Sequence, residues 1–302
     1  MAGNCVVLGA SDSAANAGTL AWAVREAADT GAELMVARGE VNQPETWGAV
    51  ARGTLRALEI VDRSLARAVA AARTRLGDQR VAVVVDRDRP GELLVRRARP
   101  GDLIVLGAPR HAGWWARAST TYYAATHAPC PVIVVHDPEP QSGHNPVRPE
   151  VGGIGTFFHG HVVVGVDGSP AARGALAFGF AFAAEHRRPL VAVRVGAQLH
   201  NDVWFDDTTL ETHLANDPGP AQALSAQALS AEVEPWHHAY PAVEVKRALV
   251  AGSPVEALRR ISAAAALLVV GTAGTGPSAM GSVSRGLVDR APCPVAIVRD
   301  LS

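Results

Sequence analysis

Short, continuous apolar runs rich in β-branched residues recur along the chain at Cys5–Leu8, Leu34–Ala37, Val81–Val85, Leu103–Leu106 and Val132–Val135. A second series follows at Val162–Val166, Leu190–Val195, Val243–Val250, Leu267–Val270 and Val295–Val298. Runs that are mostly apolar along their length, rather than at alternate positions, are the pattern of strands buried on both faces of a parallel sheet. Longer stretches predicted as helices separate them: Ala14–Thr30, Thr54–Leu76, Gly91–Ala98 and Ser119–His127 in the first series, with counterparts in the second. The alternation predicts right-handed crossovers and an open, doubly wound α/β sheet. Pro131 and Pro294 stand just before the fifth run of each series, where a residue without an N–H stops the preceding helix. The most apolar helical stretch, Gly174–Ala184, has eleven residues between Arg173 and Glu185. A membrane crossing needs about twenty, so it reads as a buried helix.

The two series are copies of one another. Gly9–Ala23 (GASDSAANAGTLAWA) aligns with Gly165–Gly179 (GVDGSPAARGALAFG) at an offset of 156, with Gly9/Gly165, Ser13/Ser169, Gly18/Gly174 and Leu20/Leu176 in common. Pro90, Glu92 and Leu94 match Pro254, Glu256 and Leu258 at 164, and APCPVIVV (Ala128–Val135) matches APCPVAIV (Ala291–Val298) at 163. The jump in offset places a net eight-residue insertion after the second strand of copy two. A period this long means tandem domains, each large enough for its own core. The predicted organisation is a domain over 1–137, a Pro- and Gly-rich linker over 138–160 and a domain over 161–302. Within the linker, Phe157 and Phe158 are the residues able to dock onto a domain surface.

Composition narrows the function classes. The 302 residues are 48% apolar and 19% charged, which excludes a disordered chain, and the formal net charge of −1 lacks the basic footprint of a nucleic-acid binder. Aromatics make up only 5%, so the cores must be built mainly from Ala, Val and Leu. The odd, widely spaced cysteines Cys5, Cys130 and Cys293 point to reduced thiols rather than a disulfide framework. The start, MAGNCVVLGASDS, lacks the basic and apolar regions of a secretory signal, and a cytoplasmic location is expected, with no membrane partner. Lys246 is the only lysine and lies in neither a P-loop nor a Schiff-base context, so any nucleotide must be held by backbone amides and hydroxyls.

Candidate chemistry concentrates in copy two. Ligands of open parallel sheets bind beyond the carboxyl ends of the strands, near the switch in strand order. There the first strand delivers Val166-Asp167-Gly168-Ser169, and the fourth delivers the glycine-rich Gly271–Gly286, from which a helix starts near Ser282. Such a strand-to-helix turn makes an anion site, with Ser282 and Ser284 as hydroxyl donors and Asp167 placed to accept from a ribose hydroxyl or help hold a metal. The alternative reading is purely structural: Gly271 and Gly274 let the backbone turn, Ser282 is an N-cap and Asp167 caps the first helix. His237-His238 and His159-x-His161 lack the neighbours in sequence that a metal site needs. Cys130 and Cys293 hold equivalent positions, which favours packing over reactivity.

VVVGVDGS (Val162–Ser169), the Gly-x-x-Gly at Gly271–Gly274, and GSVSRGLVDRAPCPVAIV (Gly281–Val298) resemble the universal stress protein family, supported by YPAVEV (Tyr240–Val245) and AGSPVEAL (Ala251–Leu258). The resemblance covers nearly all of copy two and, more loosely, copy one, as in tandem actinobacterial members. It implies five parallel strands in the order 3-2-1-4-5 in each domain and binding of ATP or a related adenine nucleotide, with or without Mg2+. Carried over, Asp167 after Val166 meets the ribose and Val195 the adenine, while Gly271, Gly274, Gly281, Ser282, Val283 and Ser284 form the phosphate loop. The family motif has nine residues between its second and third glycines, whereas Thr275–Met280 supplies six, so the loop wraps the phosphates less completely. In copy one, Ser11, Arg110 and Ala118 replace Asp167, Gly274 and Gly281, which predicts a retained fold and a lost site.

The resemblance also leads to the expectation that the two domains pair as an intramolecular pseudo-dimer, since single-domain members dimerise and fusion raises the effective concentration. A homodimer of whole chains is a further analogy. Three functional readings follow: a protein regulated by bound ATP, a slow ATPase, and a dimerisation or scaffold module without ligand. The ATPase is disfavoured, because no basic residue lies in the loop and no base is placed to activate water.

Overall fold

The computed structural model describes residues 5–10, 17–39, 62–109, 119–136, 157–196, 199, 202–205, 219–272 and 280–299. Contacts divide the chain into two compact units, Met1–Asp137 and Pro138–Ser302.

In the first unit the strands are β1 (Cys5–Gly9), β2 (Glu33–Gly39), β3 (Val81–Asp86), β4 (Leu103–Gly107) and β5 (Val132–Val135). They form a parallel sheet in the order β3-β2-β1-β4-β5. The helices are α1 (Ala17–Thr30), α2 (Arg63–Leu76), α3 (Pro90–Arg97) and α4 (Thr120–His127). Both neighbours of β1 run parallel to it, in the registers Val6↔Leu34 and Val6↔Leu103. The central strands are buried at nearly every position, as their unbroken apolar runs require. Asp62 defines the start of α2 by accepting the Leu65 N–H at 2.9 Å. The rest of the stretch predicted as helix from Thr54, residues 54–61, lies outside the described residues, as do 14–16 ahead of α1.

The second unit repeats the plan with β6 (Val162–Gly165), β7 (Leu190–Gly196), β9 (Val245–Ala251), β10 (Leu267–Gly271) and β11 (Val295–Val298), in the order β9-β7-β6-β10-β11. Its helices are α5 (Pro170–Glu185), α6 (Pro220–Ala239), α7 (Pro254–Ser262) and α8 (Ser282–Arg290). It departs from five parallel strands in one respect. The segment between β7 and α6 contributes β8 (Val203–Phe205), which pairs antiparallel with the outer edge of β9 in the register Val203↔Leu249. That edge would otherwise present unpaired N–H and C=O groups. The net insertion expected after the second strand falls mostly in α6, which has 20 residues where α2 has 14.

α5 contains the Gly174–Ala184 stretch and buries Leu176 and Phe180 completely. No described helix is long and apolar enough to cross a membrane. Phe158 is 1% exposed within this unit and its carbonyl accepts the His161 N–H at 3.2 Å, so this part of the stretch predicted as linker is packed. His161 Nδ1 lies 3.0 Å from the His159 carbonyl oxygen. Among the described residues no group of three His, Cys, Asp or Glu side chains is arranged to hold a metal.

Candidate nucleotide site in the second unit

The order of the strands reverses at β6, whose neighbours are β7 on one side and β10 on the other. Crossover connections leave to opposite faces here, so a crevice opens beyond the carboxyl ends of the strands. A cavity of about 270 Å3 occupies it, just under the roughly 300–1,000 Å3 of ordinary small-molecule pockets. Val166, Asp167, Val195, Gly271, Gly281, Ser282, Val283 and Ser284 all line it. Gly274 lies outside the described residues.

Each wall follows from a local cause. β6 is extended by the Val166 N–H, which donates to the Val193 carbonyl at 2.8 Å, and the chain then turns through Gly168 at φ +84°. Asp167 is exposed at the mouth, and its Oδ1 accepts the Ser169 N–H at 3.0 Å. Ser169 in turn caps α5, its hydroxyl oxygen accepting the Ala172 N–H at 3.2 Å. The helix cap that Asp167 could have supplied is therefore provided by Ser169, two residues on. Val193 and Val195 share one face of β7, two residues apart, and Pro254 and Leu258 of α7 complete an apolar slot. Asp167 is the only ionisable side chain in the described lining.

Two glycine-loop residues have structural tasks. Ser284 is 2% exposed and its hydroxyl donates to the Gly271 carbonyl at 2.6 Å, tying the start of α8 to the end of β10. In the first unit Thr121 makes the same bond to Gly107 at 3.0 Å. The hydroxyl expected to face phosphate is thus engaged by the fold, and what Ser284 offers the cavity is its backbone. Gly271 is required by packing, because a Cβ there would lie 2.5 Å from the Ala171 carbonyl oxygen of α5.

The helix starts differ between the units. In the first, the Ser119 hydroxyl oxygen accepts the Tyr122 N–H at 3.3 Å and caps α4. In the second, the N-cap of α8 is Gly281, which has no side chain to cap with. The first-turn amides of α8 therefore face the cavity without a side-chain cap and carry the positive end of the helix dipole. The equivalents Ser11, Arg110 and Ala118 in the first unit lie outside the described residues.

A sequence model described as the universal stress protein family matches residues 5–136 and again 159–299. The chain belongs to this family. The universal stress protein Rv2623 of Mycobacterium tuberculosis is 28% identical over 311 aligned positions, covering 98% of this chain and 96% of the relative. Rv2005c from the same organism is 29% identical over 270, covering 85% and 80%. The fold is also that of a universal stress protein from Archaeoglobus fulgidus, whose crystal structure aligns with 98% of this chain and 96% of its own at a TM-score of 0.60 and 17% identity. The chain is thus a tandem universal stress protein, a stress-response protein with two copies of the family's domain.

Sequence reasoning did not assign Gly165, Val193, Pro254, Leu258 and Val270 to the site. Pro254 and Leu258 stood out as repeat markers and within the family-like AGSPVEAL, without a site role; the signal that could have given them one is their place just after the third strand of the domain. Val193 was discoverable from Val195, since strand residues two apart share a face.

Proposed function

We propose that the second domain binds an adenine nucleotide, ATP foremost, as a regulatory ligand that alters how this stress-response protein associates with partners. The observation that carries the reading is the cavity at the strand-order switch, which joins an apolar slot, an exposed carboxylate and a helix N-terminus without a side-chain cap. Val195, Val193, Pro254 and Leu258 would hold the base, and Asp167 the ribose hydroxyls through the oxygen that Ser169 does not use. The amides of Ser282, Val283 and Ser284 would meet a phosphate, with Gly274 and Gly281 shaping the loop. Because the described lining has no basic side chain, Mg2+ would offset the charge of a triphosphate, and Asp167 is the carboxylate near enough to the mouth to share it. Hydrolysis is not part of the proposal, since Asp167, the one ionisable side chain of the described lining, is assigned to the ribose.

The test is calorimetry of the full chain with ATP and Mg2+, together with nucleotide extraction from freshly purified protein. One ATP per chain supports the reading. Two equivalent sites would contradict the assignment to the second domain, and no binding would favour a scaffold module without ligand.

A further inference from the structure

The segment between β7 and α6 reaches the outer edge of the sheet, where β8 pairs with β9. Its described residues are Leu199, Asp202 and β8. We propose that this segment braces the wall of the nucleotide pocket, with Asp202 as the positioning residue; the inference rests on the nucleotide reading of that pocket.

Asp202 straddles the connection from β9 to α7. Its Oδ1 accepts the N–H of Ala251, the last residue of β9, at 2.8 Å, and its Oδ2 accepts from the Arg260 guanidinium on α7 at 2.7 Å. Between these anchors the chain passes through Gly252 and Ser253 to Pro254, which lines the pocket together with Leu258 one turn later. α7 has nine residues, and Ser253 gives it no side-chain cap. A helix this short does not set its own orientation and takes it from its attachments. The segment is itself fastened at the base end of the pocket. The Gly196 carbonyl, next to Val195, receives the Leu199 N–H at 3.2 Å and the Gly252 N–H at 3.3 Å, while β8 pairs with β9.

The first domain ties the corresponding arginine to carboxylates at the end of its own third strand. Arg96 of α3 stands where Arg260 stands in α7 and pairs with Asp86 and Asp88, at the end of β3 and in the turn that follows. The second domain has Val250 and Gly252 at those positions. Val250 is 1% exposed, so a carboxylate there would be buried. The arginine has kept its place, and its partner in the second domain is Asp202, 58 residues upstream of it. Pocket wall and bracing segment therefore form one hydrogen-bonded unit, and a ligand that favours the ordered wall also favours the ordered brace.

The experiment measures ATP–Mg2+ affinity of the full chain by calorimetry for the wild type, Asp202→Ala, Asp202→Asn and Arg260→Ala. Melting temperatures and hydrogen exchange of residues 199–205 and 253–258 are followed with and without ATP. Asp202→Ala is expected to weaken ATP about tenfold, a size typical of losing hydrogen bonds to a charged group. Arg260→Ala, at a side chain 51% exposed, should weaken it about threefold, and Asp202→Asn should fall between the two. ATP should slow exchange at 199–205 in the wild type and not in Asp202→Ala, although neither Leu199 nor Asp202 lines the cavity. Lower melting temperatures with wild-type affinity would make Asp202 a fold contact only and overturn the brace; the surface variant Arg260→Ala keeps this outcome readable if Asp202→Ala does not fold. A wild type that binds no ATP overturns the nucleotide reading instead. Unchanged exchange at 253–258 in ligand-free Asp202→Ala would overturn the tie on its own.

Discussion

Ser284 and Thr121 each place one hydroxyl between the first turn of a helix and the last carbonyl of a neighbouring strand. Removing either takes a hydrogen-bond donor from that carbonyl. Ser284→Ala and Thr121→Ala should each lower stability by about 0.5–1.5 kcal/mol in urea unfolding, and by similar amounts in the two domains. A role confined to ligand would leave ligand-free stability unchanged in Ser284→Ala. Asp167 is different, because it is exposed and its one assigned bond is a local turn to Ser169. Asp167→Ala should cost about 1.5–3 kcal/mol of nucleotide binding, roughly ten- to hundredfold in affinity, with little change in melting temperature. An unaltered dissociation constant would remove Asp167 from the site. A serine beside a glycine-rich loop reads the same in sequence whether it serves a phosphate or a carbonyl, which is why its partner became visible only in three dimensions. Gly271 was open to either reading for a similar reason: the obstacle to a side chain is Ala171, a hundred residues away in sequence.

Both second strands carry an arginine near their carboxyl end, Arg38 and Arg194, paired with Asp62 at the start of α2 and Glu232 of α6. The pairs are not equivalent. Asp62 is also the N-cap of α2, and the side chains of its pair are 8% and 10% exposed, against 20% and 25% for the other. Asp62→Ala should therefore destabilise its domain by more than the roughly 1 kcal/mol of a lost cap, and by more than Glu232→Ala destabilises the other. Urea unfolding of the two variants side by side decides it, and an equal loss would mean that the cap adds nothing. The other ten strands were legible because each holds a mostly apolar run between turn residues. β8 was not: three residues are too few to set a period. The eight-residue excess could be counted from the repeat. The role of Asp202 could not be read, because it acts on residues 49 and 58 positions away.

For the chain as a whole, burial gives the thiols a common signature. Burial pushes Cys293 to about 12, burial with help from the Asp102 charge pushes Cys130 to about 12, and the same two causes push Cys5 to about 11, all from 9.0. The unfolded chain therefore releases these protons at lower pH than the folded one. Their contribution to stability is complete below pH 9 and declines as pH rises from 9 toward 12. Native protein at pH 8 should react slowly with thiol reagents and release all three thiols on unfolding, whereas rapid native labelling would mean that the cores open. The two domains should also answer differently to nucleotide. α4 is finished by its own serine, but α8 begins at a glycine with no side chain to close its first turn. In the proposed reading the phosphate is the missing cap, so ligand at about one hundred times its dissociation constant would add roughly 2.7 kcal/mol to the second domain. Amide exchange at the start of α8 should slow with ATP while the start of α4 stays constant, and parallel slowing in both would rule out this asymmetry. One half of the molecule thereby serves as an internal reference for the other, and the difference in rigidity between two homologous helices becomes a gauge of nucleotide supply.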